Sequence, residues 1–231
     1  MDLSPRLRVI AERVPKGAKF ADIGTDHGYL PVWLILNGVV ESAVAADLRE
    51  GPLERARRTA DRYGVGERLS FRLCDGLTGV GPEEADVIAI AGMGGDTIAA
   101  ILAAAPWSKA PGKTLLLQPM TAQPELRRWL GENGYTIQDE RIAREGKRLY
   151  GVWTVTGGEM PPLSAGELWA GQQDAGPLRG EYLDYIAAKV GRALAGHMRA
   201  AQPDMAAVME LQAVLADLLR MKGEWERGGF A

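Results

Sequence analysis

Over its first 155 residues the chain alternates short apolar runs with longer segments whose apolar positions recur every three or four residues. That alternation is expected of βα units assembled into a parallel sheet. Ala18 to Ile23 reads as a buried strand, Gly24 as a turn, and the run beyond as a helix with Pro31 in its first turn, where a missing N–H costs nothing. AVAAD, ending at Asp47, is a second strand, and Gly51 to Tyr63 is a charged helix that turns Leu53, Ala56 and Ala60 inward. LSFRLC and DVIAIA are further strands, separated by the loop DGLTGVGPEE. In AGMGGDTIAAIL, glycines 92, 94 and 95 lie too close together for a helix interior, which predicts a tight, side-chain-poor turn over Ala91 to Asp96. KTLLLQP is a strand that stops at Pro119, Thr121 to Asn133 a helix ending at Gly134, and YTIQDER with LYGVWTV a hairpin joined by AREGK. Ser4 to Val14 forms a short amphipathic helix ahead of these, with Ser4 as cap and Pro5 just inside. The set implies an α/β fold with a Rossmann-like sheet of seven strands, closed by an antiparallel pair.

The pattern breaks at TGGEMPP, Thr156 to Pro162, which divides the chain into an expected domain of residues 1–158 and a second of residues 159–231. Beyond the break there is no strand pattern. Leu183, Ile186, Val190, Ala193 and His197 recur at spacings of three and four, and so do Val208, Leu211, Leu215, Leu218, Lys222 and Trp225 after Gln202-Pro203-Asp204. Two such helices joined by a proline-containing turn pack as an antiparallel, coiled-coil-like helical hairpin. His197 is expected to be a partly buried packing residue on that seam.

Candidate chemistry gathers at the ends of the predicted strands. In doubly wound sheets the first strand–glycine–helix turn is where a ligand meets free backbone N–H groups. A dinucleotide site wants G-x-G-x-x-G, whereas this chain has GTDHGY with Asp22 two residues before Gly24. A carboxylate there repels a diphosphate but suits the ammonium of S-adenosylmethionine. Asp47, twenty-three residues beyond Gly24, stands where an acid accepts hydrogen bonds from both ribose hydroxyls. Asp75, after LSFRLC, is placed to take one from an adenine amino group. Each acid alone could be an ordinary cap or turn former; three in register point to a cofactor.

Composition narrows the remaining classes. The 231 residues are 46% hydrophobic and 25% charged, no apolar run approaches the roughly 20 residues of a membrane span, and MDLSPRLRVI resembles neither a signal nor a transit peptide. A cytoplasmic protein is expected. The single Cys74, read as inert core, and two distant histidines argue against disulfides and a metal centre. The net charge of −3 comes from residues 156–231, with seven Lys/Arg against ten Asp/Glu; residues 1–155 carry twenty of each sign. Any surface for a polyanion must therefore be local. Arg141, Arg144, Lys147 and Arg148 at the hairpin tip are the first candidates, and Arg6, Arg8 and Arg13 the alternative.

ADIGTDHGYLP, GPLERA, RLCDGL, IAGMGGDTI and LLLQP, followed by a two-helix extension, together resemble the bacterial tRNA adenine-N1 methyltransferase family that modifies position 22 of tRNA. The chain departs from the family pattern at Gly28, at GVW after Tyr150 and at AGPLRG over 175–180. The resemblance implies a class I methyltransferase domain, S-adenosyl-L-methionine as methyl donor, tRNA as partner, and a C-terminal hairpin that helps hold it. Carried over by position, Asp22, Gly24, Asp26 and His27 line the methionine end of the cofactor. Asp47 with Leu48 takes the ribose, Asp75, Gly76 and Leu77 the adenine, and Ala91 with Gly92 the adjoining strand end. Met93, Gly94 and Gly95 lie beside the target base, and Tyr29, Met93 and Met120 could stack on it. From the charge argument above, Arg144 and Lys147 are the expected tRNA contacts. Adenine N1 carries a free lone pair, so no base is needed to generate the nucleophile. Asp26 and His27 are candidates to accept the proton that leaves the methylated ring, with helix capping by Asp26 and turn bonding by His27 the competing readings. A silent binding module on the same fold, or a methyltransferase for another substrate, is the alternative function.

Overall fold

The computed structural model describes residues 1–172 and 176–228; Ala175 of AGPLRG lies outside the described residues. Two compact units emerge, one of Met1–Asp139 with Ala143–Met160, the other of Glu140–Ile142 with Pro161–Ala231.

Strands β1 (Phe20–Ile23), β2 (Ala43–Asp47), β3 (Leu69–Leu73), β4 (Val87–Gly94), β5 (Thr114–Thr121), β6 (Tyr135–Glu145) and β7 (Arg148–Gly157) form one sheet in the order β3-β2-β1-β4-β5-β7-β6. The pairs from β3 through β5 are parallel and β7 runs antiparallel to β5. Helices cover both faces, so the central strands are apolar on both sides. Ile88, Ile90, Leu115 and Leu117 pack to one side with Ile98 and Leu102 of α4 (Gly95–Ala104) and Leu126 and Leu130 of α5 (Gln123–Glu132). Phe20, Ala45, Ala89 and Leu116 point to the other, against Ile10 of α1 (Pro5–Ala11) and Leu34 of α2 (Tyr29–Leu36). On α3 (Glu50–Arg62), Leu53, Ala56 and Ala60 are fully buried, as their spacing predicts.

The structure corrects the sequence reading at several places that bear on the site. The glycine-rich stretch is not a tight turn: β4 continues through Gly94 with register shifts between Ala91 and Gly94, and α4 starts at Gly95. Nor does β5 stop at Pro119. It runs on to Thr121, because Pro119 falls opposite Met93 in the irregular stretch, where a missing N–H breaks no regular ladder. The β6–β7 connection is only Gly146 and Lys147, so Arg144 belongs to β6 rather than to the tip. Ser4 occupies the N-cap position of α1, yet its side chain makes no capping bond. Cys74 is half-buried just beyond β3 and packs against the core cluster.

The second unit holds α6 (Ala165–Ala170), α7 (Arg179–Arg199) and α8 (Met205–Arg227). The periodicity argument missed α6, which is too short to show it; its signature is the capping box of Ser164 and Glu167. Lys222 pairs with Asp184 and Trp225 lies over Gly180, so the end of α8 meets the start of α7 in an antiparallel hairpin. Asp204 caps α8 by accepting from Ala206 N–H and Ala207 N–H. Leu183, Ile186 and Val190 are buried against a stripe of Val208, Leu211, Val214, Leu218 and Met221. Val214 and Met221 share the burial expected of Leu215, Lys222 and Trp225, all half-buried. Ala193 and His197 are exposed, since the seam loosens toward the turn; His197 is not a packing residue.

Candidate active site

The loop after β1 is fixed by backbone alone: Gly24 N–H and Thr25 N–H both donate to Ala46 O of β2, at 2.8 and 3.0 Å. Gly24 has φ +78°, and a Cβ there would run into Met93 Cε. Gly28, φ +65°, brings the start of α2 so near α3 that its Cβ would lie 3.0 Å from Ala56 Cβ. Glycine at both positions follows from the left-handed backbone and close packing together.

These turns leave two adjoining cavities at the carboxyl edge of the sheet. The larger, about 710 Å³, is lined by Asp22, Gly24, Asp26, His27, Tyr29, Asp47, Ala91, Gly92 and Met93. The smaller, about 410 Å³, is lined by Leu48, Asp75 and Gly76 and shares Gly24, Asp47, Arg49 and Met93 with the first. The three strand-end acids thus share one trough, with Asp47 common to both halves.

Asp22 is 8% exposed, so its carboxylate is largely cut off from water. Burial pushes its pKa up to about 6; the Thr25 side chain partly opposes the rise, and Asp47 adds to it. The Thr25 hydroxyl is itself buried without a hydrogen bond of normal geometry, so its relief is incomplete. A buried carboxylate in this condition favours a cationic ligand. Asp47 Oδ1 accepts from Arg49 N–H at 2.9 Å, which aims the carboxylate into the trough.

Asp26 does not cap α2, whose N-cap is Gly28. It takes a hydrogen bond from Arg55 that holds its carboxyl below the usual range. That removes basicity from Asp26. His27 Nε2 lies 3.6 Å from Asp26 Oδ2, and its ring stacks on Tyr29 with centroids 5.1 Å apart and planes 6° from parallel. The histidine bonds to no turn backbone among the described residues; it faces the cavity with Tyr29, which is 45% exposed.

Other expected residues lie elsewhere. Leu77 is buried in the core beneath the smaller cavity. Gly95 is buried because a Cβ would strike the Ala122 carbonyl, and neither Gly94 nor Gly95 lines the trough. Their glycines serve the passage of β4 into α4. Arg144 and Lys147 lie at the β6–β7 end and line neither cavity. Conversely, Asp2, Leu3, Ser4, Arg6 and Leu7 form one wall of the larger cavity, beside Met120. The sequence carried two signals for that wall: Arg6 belongs to the alternative basic set, and Gln118, a polar residue inside the apolar run LLLQP, is fully buried and needs a partner, which proves to be Arg6.

A family model described as a methyltransferase domain matches residues 3–153. The tRNA (adenine(22)-N(1))-methyltransferase of Bacillus subtilis is 39% identical over 174 residues, 73% of either chain. The crystal structure of the B. subtilis M1A22 tRNA methyltransferase superposes with a TM-score of 0.82 at 32% identity, covering 96% of this chain and 99% of that one. The Streptococcus pneumoniae protein Sp1610, crystallised in complex with S-adenosyl-L-methionine, gives 0.79 at 32% identity over 93% and 100%. With this similarity carried along most of both chains, the protein belongs to the tRNA (adenine(22)-N(1))-methyltransferase family.

Proposed function

We propose that the protein transfers the methyl group of S-adenosylmethionine to N1 of the adenine at position 22 of tRNA, in the cytoplasm and without a metal ion. The observation that carries this reading is the trough with Asp22, Asp47 and Asp75 in line, opening at its Asp22 end into a cavity walled by Gly92 and Met93. The residues fit the cofactor. Asp22, largely cut off from water, faces its ammonium, Asp47 its ribose hydroxyls, and Asp75 with Gly76 its adenine.

When bound there, the cofactor supplies an electrophilic methyl group on sulfonium. The protein's own part is chiefly orientation, which in favourable intramolecular systems is worth about 7–11 kcal/mol. N1 is occupied by pairing in a duplex, so the base must be unpaired or extruded to enter. Tyr29, stacked on His27, offers a flat aromatic surface at the cavity mouth. The methylated ring is cationic until its amino group loses a proton. His27 accepts it, and Asp26, already committed to Arg55, orients the imidazole rather than serving as the base. Charge in the cavity, dominated by carboxylates, favours that cation.

The test is titration of the purified protein with S-adenosylmethionine, then methylation of unmodified tRNA with and without a chelator. Modification mapped to adenine 22, and lost when that base is guanine, is expected. Cofactor binding with no transfer to any tRNA would leave the silent-module reading standing.

A further inference from the structure

Four carboxylates line the larger cavity, Asp2, Asp22, Asp26 and Asp47, and its guanidinium groups are those of Arg6 and Arg49. Arg49 also lines the smaller cavity and sits with Asp47, on the side assigned to the cofactor. Arg6 lines only the larger one, on the opposite wall. Four neighbours hold it there, the most distant of its polar partners being Met120 Sδ, 4.0 Å from Nη1. Nη1 donates to Gln118 Oε1 at 3.0 Å; Nε lies 3.4 Å from Glu145 Oε1, which also accepts from Arg6 N–H at 3.1 Å; and the guanidinium carbon stands 5.7 Å from the centre of the Tyr150 ring. Gln118 is turned toward Arg6 because its Nε2 donates to Pro119 O and Met120 Sδ. Among the described residues Nε, despite its ion pair with Glu145, is buried without a hydrogen bond, and Nη2 donates to none. Gly92, with φ +79°, is the neighbour across the gap, where a Cβ would come within 3.5 Å of Nη1. Nearby, the Ser4 hydroxyl is buried without a hydrogen bond.

An arginine positioned by a buried glutamine, a carboxylate and an aromatic ring, with neither Nε nor Nη2 hydrogen-bonded, is prepared for an acceptor from outside. Two acceptors are chemically available in an RNA substrate, the base and the phosphodiester. The base is the poorer choice. Its ring becomes cationic on methylation, and a fixed guanidinium against it would oppose the developing charge. The phosphodiester is anionic throughout the reaction, and the four carboxylates would otherwise repel it. We infer that Arg6 seats the phosphate flanking the target nucleotide and so fixes how deeply the adenine enters beside Met93. This rests on the proposed RNA substrate and gives one member of the alternative N-terminal basic set, Arg6, a defined positioning role inside the cavity.

The test compares wild type, Arg6→Lys and Arg6→Gln, using tRNA assembled from two pieces with a methylphosphonate on the 5′ or the 3′ side of the target adenosine. Arg6→Gln is expected to bind S-adenosylmethionine as wild type does and to lose about ten- to a hundredfold in kcat/KM on tRNA. Arg6→Lys, which keeps a point charge but not the planar fork that meets Gln118 and Tyr150, recovers part of the loss. One of the two neutral linkages should slow wild type by a similar factor and Arg6→Gln hardly at all. Intact kcat/KM in Arg6→Gln overturns the inference, and so do linkage penalties equal in both proteins. Wild type that binds cofactor but methylates no tRNA would overturn the proposed function as well, whereas failure of the Arg6 variants alone to differ leaves that function in place.

Discussion

Replacing Asp22 by Asn should make the cofactor-free protein more stable while spoiling its cofactor site. The folded state raises the Asp22 pKa from 3.8 to about 6, so folding favours the neutral acid. Below about pH 3.8 the acid is protonated folded or unfolded and costs nothing. Between about 3.8 and 6 the folded state holds the extra proton, stability falls as pH rises, and above 6 the whole penalty is present. A shift of about two units is worth about 3 kcal/mol at 1.36 kcal/mol per unit. Asparagine has nearly the same shape without the charge, and should recover up to that amount at pH 7.5. For a protein of this size that corresponds to roughly 6–12 °C in melting temperature. Melts of both proteins without S-adenosylmethionine at pH 7.5, 6 and 4.5 should show the gap narrow as the pH falls. Calorimetric titration at pH 7.5 should show weaker cofactor binding by the variant, because the ammonium has lost its counter-ion. Equal melting temperatures at pH 7.5, or a gap that ignores pH, would refute the reasoning.

Asp47→Ala should weaken S-adenosylmethionine binding by about 1.5–3 kcal/mol, the worth of charge-assisted hydrogen bonds; unchanged affinity by titration would remove Asp47 from the ribose site. A chain ending at Gly158 should fold, bind S-adenosylmethionine and lose most activity on tRNA, and undiminished methylation would exclude the helical hairpin from substrate holding. Replacing Arg144 and Lys147 by Ala should lower the slope of log tRNA affinity against log salt by roughly one to two units and leave cofactor affinity alone. A parental slope would shift attention to the wall around Arg6.

The strand ends were legible in the sequence because parallel strands buried on both faces are continuous apolar runs, and a carboxylate closing such a run, as at Asp22 or Asp47, stands out. The left-handed turn at Gly24 was legible for the same reason. What escaped was set by contacts distant along the chain. Glycines 92, 94 and 95 suggested a turn, but Gly95 answers to the carbonyl of Ala122 and Pro119 to the bulge opposite it. Asp26 looked like a cap or a base until Arg55, on another helix, took it up. The Arg6 wall lies more than a hundred residues from Gln118 and Glu145, and no periodicity connects them.

The hairpin of α7 and α8 is packed unevenly along its length, with Val190 and Leu218 enclosed and Ala193, His197, Met198 and Met209 open to solvent. Local opening costs least where little apolar area is lost, so its amides should exchange with solvent along a gradient, fastest near the turn and slowest around Val190. Mechanically the pair is graded: stiff where the helices are enclosed, compliant near the turn that joins them. Such a device can follow a curved surface by bending over its last turns, while the enclosed part of the pair keeps its register.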